Sequence, residues 1–215
     1  MTEEEWLECD EPRPMLGWLA KREVARNDRW EGPPRDRPFR LFACACLRLA
    51  WRHLGKTGRA AVEFQEAWAD GDGDEDRWYR ESRRVRGWVR PGMEAVNLFW
   101  EGLNLPASVV GISAGTEGHG ADEQTQLALV RCVFGNPFRR ASLRRAWRTP
   151  EMVALAGAAY DERRLPCGLL DRARLLILAD ALLDAGCDDE AVLGHLRGAP
   201  HIRGCWVVDL LLGKR

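Results

Sequence analysis

The C-terminal stretch, residues 201–213, most constrains the fold, because it is almost wholly apolar where a chain usually ends in polar residues. Chain ends fray unless they dock on the protein, so this run predicts a buried helix or short strand. We expect it to pack on the apolar face formed by Leu175, Leu178 and Leu182. Asp209 interrupts the run, and it should be paired with an arginine or a backbone donor, since an unpaired buried carboxylate is costly.

Much of the remaining chain carries the three- and four-residue spacing of apolar side chains that is typical of amphipathic helices. The clearest segments are residues 38–54, 57–69, 121–134, 150–163 and 171–185. The alternating pattern of β-branched residues that marks strands is nearly absent. The sequence therefore predicts a mainly α-helical, compact multi-helix fold.

Local signals mark several helix ends. Thr2 and Glu5 have the spacing of a capping box, which predicts a short helix at the N-terminus. Thr149 and Pro150 are typical of a helix start, where the missing N–H of proline costs nothing. Gly135 is expected to end the preceding helix in a left-handed conformation.

A loop is expected at residues 104–120, which are rich in glycine and serine and carry little apolar pattern. It would join an N-terminal helical half, residues 1–103, to a C-terminal half, residues 121–215. A chain of 215 residues suits either one large domain or two small ones, and we expect the two halves to form one integrated domain.

Composition narrows the function classes. The 32 basic residues nearly balance the 33 acidic ones, which removes the bulk electrostatic argument for binding nucleic acid or an anionic membrane. No apolar run reaches the length of a membrane span, and no signal segment opens the chain. The seven cysteines are scattered in helical patterns, unlike a disulfide framework. We therefore expect a cytoplasmic protein with reduced thiols and no membrane partner.

One acidic segment has part of the spacing of a calcium-binding loop. Asp70, Asp72, Asp74 and Glu81 occupy positions one, three, five and twelve of such a loop. Position six, where glycine permits the sharp turn, is Glu75 instead. The sequence therefore favours a solvated loop between helices over a metal site.

Histidine and cysteine near the C-terminus raise the question of zinc. His195, His201 and Cys205, together with Cys187, would supply four ligands in a short span. Their spacing fits no standard zinc knuckle, and Cys187 directly follows a predicted helix end. The sequence therefore favours buried thiols, and it assigns no metal, cofactor or catalytic residue.

A nucleophile with its base is the enzymatic alternative. Cys205 and His201 are four residues apart, which would place both on one helical face. Nothing in the sequence marks an oxyanion hole or a third, orienting group, so a buried cysteine is favoured.

Two arginine clusters beside tryptophan have the composition of a phosphate and base-stacking surface. Acidic neighbours dilute both clusters, and the sequence favours exposed, ion-paired surface over nucleic-acid binding. The clusters are Arg139, Arg140, Arg144, Arg145 and Arg148 with Trp147, and Arg80, Arg83, Arg84, Arg86 and Arg90 with Trp88.

Several blocks resemble a bacterial family of hypothetical proteins that has many paralogues in GC-rich genomes. They include RLFACAC at residues 40–46, FGNPF at 134–138 and HIRGCWVVDLLLGK at 201–214. The resemblance implies no activity, cofactor or site residue. Many paralogues without a catalytic constellation are typical of accessory proteins, so we predict a protein-interaction or regulatory helical module whose partner is another protein. An enzyme with a site near His201 and Cys205, and arginine-mediated nucleic-acid binding, are the alternatives.

Overall fold

The computed structural model describes residues 1–27, 37–72, 121–139, 143–198 and 200–214. Over these ranges the chain is mainly α-helical, as the sequence predicts. The expected loop at 104–120 and the second arginine cluster, residues 80–90, lie outside the described residues. None of the described helices is long and apolar enough to cross a membrane.

The described ranges contain nine α-helices and two short 3₁₀ turns. The turns are Trp51–His53 and Arg145–Trp147. The helices are α1 (Glu3–Glu8), α2 (Pro12–Asn27), α3 (Arg37–Leu49), α4 (Lys56–Ala69), α5 (Glu123–Phe134), α6 (Pro150–Asp161), α7 (Arg172–Asp184), α8 (Glu190–Arg197) and α9 (Trp206–Leu212).

The predicted helix ends are largely confirmed. Thr2 and Glu5 form a capping box with reciprocal hydrogen bonds of 2.7 and 3.2 Å. Thr149 caps α6 with Pro150 in its first turn. Gly135 ends α5 with φ at +56° and ψ at −140°, so its φ is positive as expected, but its ψ is not that of the left-handed helix. Residues 38–54 divide into α3 and a 3₁₀ turn, because the α-helix ends at Leu49.

Helix α5 contacts helices that come before residue 73 in the sequence as well as a helix near the C-terminus. It packs against α2, α3 and α9, and its Leu129 and Val130 are fully buried. Helices α6, α7 and α8 pack in succession, and α3 packs along α4. A single cluster of buried side chains extends through all of these helices.

The apolar C-terminal run forms α9, which is docked as predicted. Val207, Val208 and Leu211 are fully buried. The expected packing partner is wrong, however, because α9 lies mainly against α6 rather than on the α7 face that includes Leu178. Helix α7 packs instead against α6 and α8.

Buried ion pairs and hydrogen bonds connect α9 to the start of α3. Asp209 is paired with Arg37, which confirms that its carboxylate is matched by an arginine. Arg37 also donates to Tyr160 at 3.0 Å and to Asp70 at 3.1 Å. Burial raises the pKa of Asp209 to about 6, although Arg37 opposes this shift. The C-terminal helix is therefore held by charge as well as by apolar contact.

Candidate metal centre

Four side chains with metal-binding atoms converge in the core between α5, α8 and α9. They belong to Cys132, His195, His201 and Cys205, and their donor atoms all lie within 4.8 Å of one another. Three of the residues are buried and His195 is half-buried. All seven cysteines of the chain lie in the described ranges, and no disulfide bond joins any of them there.

Helices position two of the four residues. Cys132 lies on the buried face of α5, in its last turn. His195 lies in the last turn of α8, which begins with Asp189 accepting hydrogen bonds from two backbone N–H groups. The other two ligand candidates follow α8 directly, so one short segment brings three of the four groups to the face of α5.

A tightly held turn places His201 and Cys205 on the same side. The carbonyl of His201 accepts a hydrogen bond from the Leu170 N–H at 2.9 Å, and the Cys205 N–H donates to the carbonyl of Ile202 at 3.0 Å. Gly204 has φ of +90°, and a Cβ atom there would lie 3.0 Å from the side chain of Leu41. Only glycine adopts this conformation without strain and leaves room for the packed neighbour.

Three of the distances among the donor atoms match those around one tetrahedral ion. His195 Nε2 lies 3.3 Å from Cys205 Sγ, and His201 Nδ1 lies 3.7 Å from the sulfurs of both Cys132 and Cys205. A tetrahedral zinc ion with ordinary Zn–S and Zn–N bonds separates its ligand atoms by about 3.3–3.8 Å. These three separations lie in that range, all four donor atoms lie within 4.8 Å of one another, and two thiols with two imidazoles are a donor set that favours zinc.

Hydrogen bonding fixes which histidine nitrogen faces the centre. His201 Nε2 lies 3.1 Å from the carbonyl oxygen of Gly198, to which it donates its proton. The Nδ1 lone pair then points to the sulfurs. His195 turns its Nε2 to Cys205, so the two rings present different nitrogen atoms, and they meet edge to face with centroids 4.8 Å apart.

The electrostatics of the centre favour a thiolate at Cys205. Burial raises the pKa of its thiol, but the hydrogen bond from Cys132 and the contacts with His195 and His201 lower it well below its usual range. Burial and the neighbouring Cys205 raise the pKa of Cys132. The pKa of His201 is raised by its contact with Cys205, against the effect of burial. The shifts at Cys205 and His201 thus arise in part from the contact between these two side chains.

Three of the four residues, His195, His201 and Cys205, belong to the zinc set that the sequence raised but did not favour. Cys187 follows α7 and donates its backbone N–H to Leu182, and it is not among the four converging side chains. The fourth converging side chain is that of Cys132, which belongs to α5. Its distance along the chain from the C-terminal segment hid it from an argument based on ligand spacing.

The geometry does not complete a catalytic triad around Cys205. Among the described carboxylates, Asp180 pairs with Arg197 at the surface and Asp209 pairs with Arg37, so neither is paired with a histidine of this centre. A cavity of about 320 Å³ borders the centre, and its lining includes His195 and His201. It reaches the two imidazoles rather than the sulfur of Cys205.

In the acidic segment at the end of α4, Asp70 is paired with basic side chains of the chain itself. Asp70 is half-buried, with 9% of its side chain exposed, and it accepts hydrogen bonds from Tyr160 at 2.6 and 2.9 Å. Its carboxylate also lies 3.1 Å from Arg37 and 3.2 Å from Lys214. Residues 74 and 81 lie outside the described ranges. The described part of this segment is therefore a structural ion-pair site.

The described arginines of the first cluster are largely engaged within the chain. Arg139 pairs with Glu3, and Arg144 pairs with Asp188 at 3.4 Å. Arg148 donates to the carbonyl of Leu211 at 2.7 Å. These contacts match the ion-paired surface that the sequence favours.

Comparisons of the chain with protein families, curated proteins and solved structures found no match. The interpretation of this centre therefore rests on its geometry alone. The resemblance to a family of hypothetical proteins stays a prediction.

Proposed function

We propose that the chain is a zinc-dependent helical module in which Cys132, His195, His201 and Cys205 bind one structural Zn²⁺ ion. The observation that carries this proposal is the convergence of two sulfur and two imidazole nitrogen atoms within 4.8 Å, with three of their separations at 3.3–3.7 Å. Four protein ligands close such a shell and leave no open position for a substrate, as in structural rather than catalytic zinc sites.

The ion would cross-link elements that are distant along the chain. Cys132 comes from α5, His195 from α8, and His201 and Cys205 from the turn into α9. Because the unfolded chain does not preform the site, binding energy becomes folding energy. At a free zinc concentration of 1,000 times the dissociation constant, the gain in stability is about 4 kcal/mol.

A helical chain that is cross-linked by zinc, with no open coordination position for a substrate, is suited to binding another protein. We therefore infer that the chain acts as an interaction or regulatory module. A cytoplasmic location, with reduced thiols available to the metal, is part of this proposal.

Cobalt substitution tests the site. Titration of the reduced, metal-free chain with Co²⁺ should produce intense visible absorption and a thiolate-to-metal charge-transfer band, saturating at one equivalent. Cys132→Ser should lose about half of the charge-transfer intensity, because one of two thiolates is removed, and should bind zinc more weakly. Cys187→Ser, which removes an equally buried cysteine, should titrate like the wild type.

Two outcomes would contradict the proposal. One is the absence of stoichiometric metal binding by the wild type. The other is loss of the charge-transfer band in Cys187→Ser together with its retention in Cys132→Ser.

The second candidate is a thiol enzyme, which the 3.3 Å contact of His195 Nε2 with Cys205 Sγ favours. A thiolate that serves as a nucleophile must be reached by its substrate, whereas Cys205 is fully buried. Iodoacetamide separates the two functions. An enzyme's Cys205 would be alkylated fastest in the chain as isolated, whereas a zinc ligand would be protected until the metal is removed.

A further inference from the structure

We propose that Cys132 and Cys205 form a peroxide-sensitive site, at which oxidation joins the two sulfurs in a disulfide and expels the zinc ion. The inference rests on the proposed zinc site and adds a means of regulating it. Two features of the centre carry it: both sulfurs belong to one cluster, and a cavity borders that cluster.

The two sulfurs are close enough to join. Their separation is within 4.8 Å, and a disulfide bond is about 2.0–2.1 Å long. Cys132 lies in the last turn of α5 and Cys205 at the N-terminal cap of α9. The bond would therefore cross-link the same two helices that the zinc ion joins. Oxidation would release the metal and both imidazoles while α9 stays attached to α5.

The cavity gives a small oxidant a route to the centre. Its volume is about 320 Å³, several times the roughly 30 Å³ that a water molecule occupies in the liquid, and hydrogen peroxide is little larger than water. The lining includes His195 and His201, together with Gly194 and Gly198. Displacement of one histidine from the metal would open the sulfurs to peroxide from this side.

The reaction balances with hydrogen peroxide as the oxidant. One thiolate attacks an oxygen atom, the O–O bond breaks, and a sulfenic acid forms with release of hydroxide. The second thiolate attacks that sulfur, the S–S bond forms, and a second hydroxide leaves. Two protons from solvent convert the hydroxides to water. The two sulfurs together lose two electrons, the peroxide gains them, and both Zn–S bonds break.

Other cysteines provide an internal comparison. Cys44 donates to the carbonyl of Val62 at 3.8 Å, and Cys167 donates to that of Arg164 at 3.3 Å. Cys167 is also less buried than either sulfur at the centre. Oxidation governed by exposure alone would therefore reach Cys167 before the buried pair.

The test uses the full reduced chain loaded with one equivalent of zinc and treated with hydrogen peroxide. Zinc release is followed with a chromogenic chelator, and the remaining thiols are alkylated before trypsin digestion. The two cysteines fall in separate peptides, Cys132–Arg139 and Gly204–Lys214, each with one cysteine. We expect one cross-linked pair of these peptides per zinc released, formed at the same rate, and recovery of zinc binding after reduction. Cys167→Ser should release zinc at the wild-type rate.

Three results would overturn the inference. Zinc could stay bound while Cys167 is oxidised, or zinc could leave with the Cys132 peptide still alkylated. In both cases the zinc site itself stands. If the reduced chain binds no zinc before peroxide is added, the proposed function fails, and this inference fails with it.

Discussion

Glu66 forms a second group of buried ion pairs, with Arg48 and Arg163, in addition to the group around Arg37. Its carboxylate accepts four hydrogen bonds, from Arg48 at 2.5 and 2.7 Å and from Arg163 at 2.7 and 2.6 Å. The side chain of Glu66 is 5% exposed, and those of the arginines are 3% and 11% exposed. Glu66→Gln keeps the shape of the side chain but leaves two largely buried guanidinium groups without their shared counter-charge.

The expected cost follows from that loss. Removing one partner of a buried ion pair typically destabilises a protein by about 3–5 kcal/mol, against a total stability of about 5–15 kcal/mol. Urea unfolding at pH 7 should therefore show a markedly lower midpoint for Glu66→Gln. Glu63→Gln makes the same chemical change at an exposed position of the same helix, and it should lie within about 0.5 kcal/mol of the wild type.

The pH dependence gives a second, independent readout. Burial raises the pKa of Glu66, but hydrogen bonds from Arg48 and Arg163 outweigh it and hold that pKa below its usual value of 4.5. The stabilisation is therefore complete above about pH 4.5 and is lost as the pH falls through the lower, folded-state pKa. The difference between wild type and Glu66→Gln should stay constant from pH 7 to about pH 5 and shrink in more acid solution. Equal stability of the two proteins at pH 7 would refute the reasoning.

Three further predictions concern the core around the metal centre. Gly135→Ala should lower the free energy of unfolding by about 1–2 kcal/mol or more in a urea titration, because φ is +56° there and a Cβ atom would lie 3.2 Å from the ring of Trp206. The control, Gly157→Ala within α6, should be neutral or stabilising in the same titration. Zinc binding near pH 7 should release a proton from Cys132, because burial raises the pKa of its thiol well above the usual value. Calorimetry in buffers of different ionisation enthalpy would detect it, and no proton release would contradict the assignment. Truncation after Gly204 should yield an insoluble or unfolded chain, since it removes several buried side chains whose burial stabilises the fold by roughly 2–3 kcal/mol each. A folded, soluble product would contradict the docking of α9.

Local patterns in the sequence were sufficient to predict the helices. The capping box at Thr2 and the cap at Thr149 are determined by residues within one turn, so they can be read without tertiary information. The docked α9 and the arginine partner of Asp209 follow from the cost of exposing apolar residues and burying charge. These predictions succeed because their energetics are local or nearly independent of topology.

The packing partners and the fourth ligand candidate could not be predicted in the same way. Both α6 and α7 have apolar faces, and which of them receives α9 depends on what else covers each face. Cys132 reaches His201 across 69 residues of sequence, and in the sequence it looks like any small residue on a helical core stripe. Only the packing of α5 against α9 distinguishes it from Cys187.

X-ray absorption at the zinc K edge of the purified, reduced chain tests the central claim most directly. We predict one zinc ion per chain with two sulfur ligands at about 2.3 Å and two nitrogen ligands at about 2.0–2.1 Å. Cys132→Ser should replace one sulfur in that shell with nitrogen or oxygen, while Cys187→Ser should leave the spectrum unchanged. A chain without bound zinc, or a shell without two sulfur atoms, would contradict the account.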